Sequence, residues 1–190
     1  MDFFGHLRTI NHHKMLVTKT CFQVGLYLQG ICHDLSKYHP MEFIPGGIYY
    51  QGDRSPISRE KELKQCSEGW LHHKGRNPHH FEYWIDYSAQ TRTLVGMKMP
   101  KKYVAEMVID RICACKNYMK ENYKDSSALD YYMKGRSVML IHEESDYLAV
   151  YLLTMLAKEG EEALLSYMRH RLLKHRNRDY HVIKGRLVLD

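Results

Sequence analysis

Residues 100–120 read PKKYVAEMVIDRICACKNYMK, and their periodicity decides the class of fold. Val104, Met107, Val108, Ile112 and Cys115 fall on one face at helical spacing, and Met99-Pro100 opens the helix. A face of that kind has to be buried against other helices. Towards the N-terminus, residues 3–28 fit one amphipathic helix with Phe3, Leu7, Ile10, Val17, Cys21, Val24 and Leu28 on one side. Lys14 sits awkwardly inside that apolar face. Residues 29–38 read as a short second helix ended by His39-Pro40. A loop through Pro45-Gly46-Gly47 then leads to Ser55-Pro56, an N-cap and first-turn pair that opens a helix to about Cys66. Short helical pieces are expected over 69–87, and longer helices over 126–134, 143–157 and 161–177, with Gly160 between the last two. Strand signals are nearly absent, and only HVIKGRLVL at 181–189 reads as extended. The expected fold is all-α.

The bulk numbers agree with one domain. At 190 residues, 44% apolar and 26% charged, the chain is long enough to bury a core without staples. No apolar run reaches spanning length, and residues 1–20 carry His, Arg and Lys throughout, so neither a membrane helix nor a secretory signal is expected. The five cysteines are odd in number and form no CxxC, which fits reduced thiols and a cytoplasmic location. Of the net charge of +6, residues 165–190 carry +5. That segment reads as a solvated helix end and loose basic tail. The nearly neutral body argues against a phosphate-backbone footprint, so a nucleic-acid polymer is not an expected partner.

The chemistry gathers around GICHDLSKYHPMEF, residues 30–43. An apolar run (Leu26, Leu28, Ile31, Cys32) ends in adjacent His33 and Asp34, and a buried carboxylate needs a partner. Eight of the thirteen histidines lie between positions 12 and 80, six of them in the pairs 12–13, 72–73 and 79–80. Imidazole and carboxylate together are the ligand set of Zn, Fe, Mn, Co or Ni, and here they recur on separate elements. Helix geometry turns His12 away from the apolar face and puts His13 on its flank, with His6 a weaker candidate on the same flank. Asp110 lies on the flank of the 100–120 helix, and Glu106, one turn earlier, is placed to accept a hydrogen bond from a ligand. Neighbouring side chains diverge by about 100° in mid-helix, so His33 and Asp34 reach one ion only where a helix ends.

His13, His33-Asp34 and Asp110, in that order on helices, resemble the HD-domain superfamily of metal-dependent phosphohydrolases. HDLSK is similar to the HD-[ILV]-x-K pattern of that group. The stretches HDLSKYHPMEF, WLHHKGRNPHHFEYW and MPKKYVAEMVIDRICACK look like a family of uncharacterised bacterial proteins within it. The likeness covers roughly residues 6–120 and implies a single-domain helical bundle, with an HD-like metal-binding domain over 1–160 and a C-terminal helix and basic tail over 161–190. It also implies one or two divalent ions. Two-metal members carry extra histidines between the dyad and the last Asp, here one each of His72/His73 and His79/His80. His73 and His80 are taken as the ligands beside His13, His33, Asp34 and Asp110. The two pairs stand only seven residues apart, a departure from that pattern. In nucleotidases of the superfamily, acidic residues near the offsets of Lys37 and Glu42 activate water. Glu42 is therefore the candidate base and Lys37 the candidate anion contact, with Asp34 completing the catalytic set. Lys74, Arg76 and Arg54 are candidates for a substrate-binding rim, and Lys61 and Lys116 are weaker ones.

The function implied is hydrolysis of a small phosphate ester, a nucleotide or another phosphorylated metabolite. The alternatives are a di-iron oxygenase of the HD type and a metal-containing binding or sensory module without catalysis. A homodimer is left open.

Overall fold

The computed structural model describes residues 1–175 and 178–190. Its first helix, α1 (Phe3–Gln23), is capped by Asp2, whose Oδ1 accepts from Gly5 N at 2.8 Å. It stops short of the expected residue 28. Gly25 takes φ +84°, and Leu26 N and Gly25 N donate back to the carbonyls of Cys21 and Phe22, the double bond pattern of a glycine-terminated helix. The short α2 (Tyr27–Cys32) folds back beside α1, with Thr18 Oγ1 donating to Gly30 O at 2.7 Å.

The expected second helix over 29–38 is broken in the middle. His33 is extended, Asp34 is left-handed at φ 54°, and one tight turn (Leu35–Tyr38) follows. A non-glycine residue held there costs ~1–3 kcal/mol. Lys14 makes the break possible. Its ammonium donates to Ile31 O at 2.7 Å and His33 O at 2.9 Å, satisfying carbonyls at the helix end.

The expected loop at 39–55 is in part a helix, α3 (Pro40–Tyr49), entered through His39 and Pro40. Pro45, Gly46 and Gly47 lie inside it for a packing reason. A Cβ on Gly46 would stand 2.2 Å from His6 Nε2, and one on Gly47 would stand 2.1 Å from Phe3 Cδ1. Only bare backbone lets α3 sit this close to α1. After α4 (Pro56–Lys64) and α5 (Glu68–Lys74), the expected helical pieces give way to a hairpin of β1 (Ile85–Ser88) and β2 (Thr93–Gly96), which pair Ile85 with Gly96 and Ser88 with Thr93. These strands are four residues long, too short for alternation to register.

The central helix α6 (Lys101–Met119) packs on α1 and on α8 (Glu143–Glu159), with α7 (Ser127–Gly135) beside them. Val104, Met107, Val108 and Ile112 are buried as expected, and so are Ala105, Ile109 and Cys113, because helices cover α6 on more than one side. Leu148, Leu152, Leu153 and Leu156 of α8 complete the middle of the core. The last helix, α9 (Glu161–Tyr167), continues as a widened turn to Leu172; residues 173–175 leave the helix, and 176 and 177 of the expected span lie outside the described residues. The HVIKGRLVL segment pairs as β3 (Tyr180–Ile183) and β4 (Arg186–Leu189). Leu164, Met168, Leu172 and Tyr180 enter the same core, and Tyr180 Oη donates to Met99 O at 2.9 Å. The molecule is mostly helical with two small hairpins. Among the described residues no helix is long and apolar enough to cross a membrane, and no cysteine is in a disulfide.

Candidate metal centre

Two groups of potential ligands meet at one residue. His13 from α1, His33 and Asp34 from the break, and Asp110 from α6 form the first. Asp34, His73 from α5, and His79 and His80 from the turn after α5 form the second. The left-handed conformation of Asp34 turns its carboxylate inward beside the His33 ring, as required of a dyad that cannot converge in mid-helix.

The carboxylate of Asp34 is divided between the groups. Oδ2 lies 3.3 Å from His33 Nε2 and 3.9 Å from His13 Nε2. Oδ1 lies 3.3 Å from both His73 Nε2 and His79 Nε2. Asp110 Oδ1 stands 2.9 Å from His13 Nε2 and 3.3 Å from His33 Nε2. Donor atoms bonded to one ion at ~2.1 Å are separated by ~3.0 Å along an octahedral edge and ~3.4 Å along a tetrahedral one. Most of the separations, 2.9–3.3 Å, lie close to those values, and the 3.9 Å between Asp34 Oδ2 and His13 Nε2 exceeds them.

The outer nitrogens are held. Glu106 Oε1 accepts from Nδ1 of His33 at 3.1 Å and of His79 at 3.2 Å. Glu42 Oε2 accepts from His73 Nδ1 at 2.7 Å. In the neutral form that binds a metal, each of these rings would keep its proton on Nδ1 and turn the lone pair on Nε2 towards the clusters, the arrangement that carboxylates impose on metal-binding histidines. Nε2 of His33, Nε2 of His79 and Oδ1 of Asp34 are buried without a hydrogen-bond partner, while Asp34 Oδ2 is held by the Lys37 ammonium at 2.6 Å. Buried polar atoms seldom go unpaired, and three such atoms around the two groups fit divalent ions. His73 Nε2 also faces His80 Nε2 at 2.9 Å. With the His73 proton on Nδ1, a lone pair points at His80 there.

The electrostatics follow from that crowding. Burial alone would lower the His33 pKa, but the charge of Asp34 and hydrogen bonds to Asp110, Asp34 and Glu106 outweigh it and raise it well above the usual imidazole value. His73 and His79 are raised in the same way, against burial, by contacts that include Asp34. His13 is lowered, chiefly by burial, and His80 well lowered by burial and then by His79 and His73. Burial pushes the carboxyls of Asp34 and Asp110 up, but the neighbouring histidines, joined at Asp34 by Lys37, hold both well below the usual range.

The remaining sequence candidates separate. Lys37 is at the centre, its ammonium 2.6 Å from Asp34 Oδ2. Glu42 has both oxygens engaged, Oε1 with His72 Nδ1 at 2.5 Å and Oε2 with His73. His72 stacks on His39 and stays outside both groups. Arg54 is away from the site, its guanidinium forked onto Glu62 at 2.6 and 2.9 Å on the surface. Arg76 is exposed and donates to His72 O at 3.2 Å. Lys74 is half-buried and belongs to neither ligand group. Lys116 pairs with Glu161. His12 points outward to Asn117.

His79 is the ligand candidate that the sequence reading passed over in favour of its neighbour. The Arg76-Asn77-Pro78 turn lets both rings of the pair face inward. Asn77 Nδ2 donates to His73 O and to Ser36 Oγ, both at 2.8 Å, and Trp84 Nε1 donates to Pro78 O at 2.8 Å.

A family model described as "Family of unknown function (DUF5662)" matches residues 2–155. The chain belongs to that family. All of the clustered residues lie within the matched span of the DUF5662 family. Neither a curated protein nor a solved structure matches the chain.

Proposed function

We propose that the two groups hold a pair of divalent ions bridged by Asp34, in an HD-like helical bundle, and that the protein hydrolyses a small phosphate ester. One observation carries the reading: the two oxygens of a single buried carboxylate face two separate histidine sets, with Oδ1 left without a hydrogen-bond partner and Oδ2 held by the Lys37 ammonium. Divalent ions in such a site lower the pKa of a bound water towards neutrality and offset charge on phosphoryl oxygens.

The chain's own residues have separable tasks. Asp34 joins the two groups, and His13, His33 and Asp110 complete one while His73, His79 and His80 complete the other. Glu106 and Glu42 orient three of the rings and fix their tautomers. The proposal therefore assigns Glu42 a positioning role in place of the base expected from the sequence. Lys37, already paired with Asp34, contacts the phosphate and neutralises it. Lys74, Arg76 and Arg54 take no part.

The test is release of inorganic phosphate from a panel of nucleotides and sugar phosphates, with Mn, Co, Ni, Zn and Mg supplied singly. Metal-dependent turnover that Asp34→Asn abolishes is the expected result, because an amide brings no charge to offset the cations. No turnover with any metal, from folded and metal-loaded protein, would overturn the reading. Bound iron with oxygen uptake would assign the site to oxygenase chemistry instead.

A further inference from the structure

A cleft lies beside the clusters, between α1, α3, α4 and the C-terminal part of α6. His6 and Ile10 line it from α1, Glu42 from α3, Glu60 from α4 and Tyr118 from α6. Lys37 stands where the cleft meets the metal centre, its ammonium 2.6 Å from Asp34 Oδ2.

The packing role of the His6 ring leaves one of its polar atoms without a partner. Its ring is 6% exposed, and Nδ1 is buried without a hydrogen-bond partner. The ring fills the gap left by the missing Cβ of Gly46 and rests on Phe43 and Tyr50, with ring centres 5.5 and 6.0 Å away. Burial, then the charge of Lys37, brings its pKa down to about 4, so the ring is neutral at physiological pH. A neutral imidazole carries one N–H and one lone pair, the complement of a hydroxyl group. Leaving such a group unpaired costs free energy that a ligand hydroxyl would recover.

Size and charge narrow the ligand. The cavity measures about 50 Å³. At ~10–15 Å³ for each water-sized group, that is room for about three to five of them. A nucleoside is too large for this space. The lining holds one cation, Lys37, against two carboxylates, Glu42 and Glu60, which disfavours di- and triphosphates. A neutral imidazole and the Tyr118 hydroxyl suit ligand hydroxyls, whereas the Glu42 oxygens are taken up by His72 and His73 and the Glu60 oxygens by Lys64 and Ser67. We infer that the cleft binds the alcohol part of a short polyol or small sugar monophosphate, with hydroxyls on His6 and Tyr118 and the phosphoryl group at Lys37. This rests on the phosphohydrolase reading and names its substrate class.

The experiment uses metal-loaded full-length protein and four probes: glycerol 1-phosphate, adenosine 5′-monophosphate, p-nitrophenyl phosphate and inorganic phosphate. Glycerol 1-phosphate should be turned over with the highest kcat/KM of the three esters. His6→Phe keeps a ring against Gly46 but removes both polar nitrogens. It should lower the ratio of kcat/KM for glycerol 1-phosphate to that for p-nitrophenyl phosphate about 10-fold, the size of one lost hydrogen bond in a site built for it. Tyr118→Phe, which deletes a single hydroxyl, should shift that ratio in the same direction. By calorimetry, His6→Phe should weaken glycerol 1-phosphate about 10-fold more than inorganic phosphate. Preferred turnover of the nucleotide, or ratios unmoved in both variants, would overturn the inference and leave the phosphohydrolase reading standing. Failure of the wild-type protein to hydrolyse any ester would overturn both.

Discussion

Replacing Glu106 by Gln tests how the two groups are coupled. Glu106 is 4% exposed, and a single oxygen, Oε1, accepts from Nδ1 of His33 and of His79, one ring from each group. The amide keeps the shape and one acceptor oxygen but loses the charge. Charge-assisted hydrogen bonds are roughly twice as strong as neutral ones. Loss of a carboxylate behind a metal-binding histidine costs ~10–100-fold in affinity, about 1.4–2.8 kcal/mol for each ion. Because Glu106 serves both groups, both affinities should fall, where an ordinary outer carboxylate would affect one. The assay is competition with a chromophoric chelator, which resolves two binding steps, alongside circular dichroism to establish the fold. Wild-type affinity at both steps, or a change confined to one, would refute the shared role.

Three further outcomes follow from the same geometry. Gly46→Ala should destabilise the protein by ~1–3 kcal/mol, because the new Cβ would stand 2.2 Å from His6 Nε2 and force α3 from α1; a lower urea midpoint at unchanged slope checks it. Metal binding should release protons, since in the metal-free protein His33, His73 and His79 hold theirs more tightly than free imidazole. Raised values mean that these protons persist as pH rises and compete with the ions, so affinity should climb with pH and fall in acid; calorimetry in buffers of different ionisation enthalpy counts the protons. Lys14→Met should loosen the break at Asp34 and weaken metal binding, because Ile31 O and His33 O lose their donor; chelator competition reads this as well.

The helical class and most of the first group of candidate ligands were legible in the sequence. The periodicity of α6 placed Val104, Met107, Val108 and Ile112 inside, and the flank argument chose His13 over His12 and brought Asp110 and Glu106 towards the centre. What stayed hidden depended on tertiary contact. Gly46 and Gly47 carry loop propensity, yet α3 forms because His6 and Phe3 need the space. Asp34 is an ordinary helix-end residue by composition, and only Lys14, from a different helix, completes the break that turns it inward. The choice between His79 and His80 rests on a turn in which both rings face one way, which no periodicity encodes. Glu42 stood out in the sequence as a candidate base, and its hold on His72 and His73, about thirty residues distant, did not. Arg54 had the right charge for a substrate rim, and Glu62 had the better claim on it.

The most direct test of the central claim is the metal content of wild-type and Asp34→Ala protein after dialysis against Mn, Co or Zn. Asp34 is the residue that both groups share, through Oδ2 on one side and Oδ1 on the other. Wild-type protein should retain two ions per chain, and folded Asp34→Ala should hold neither tightly. A wild-type chain that retains no ion, or an Asp34→Ala chain that keeps both, would contradict the account.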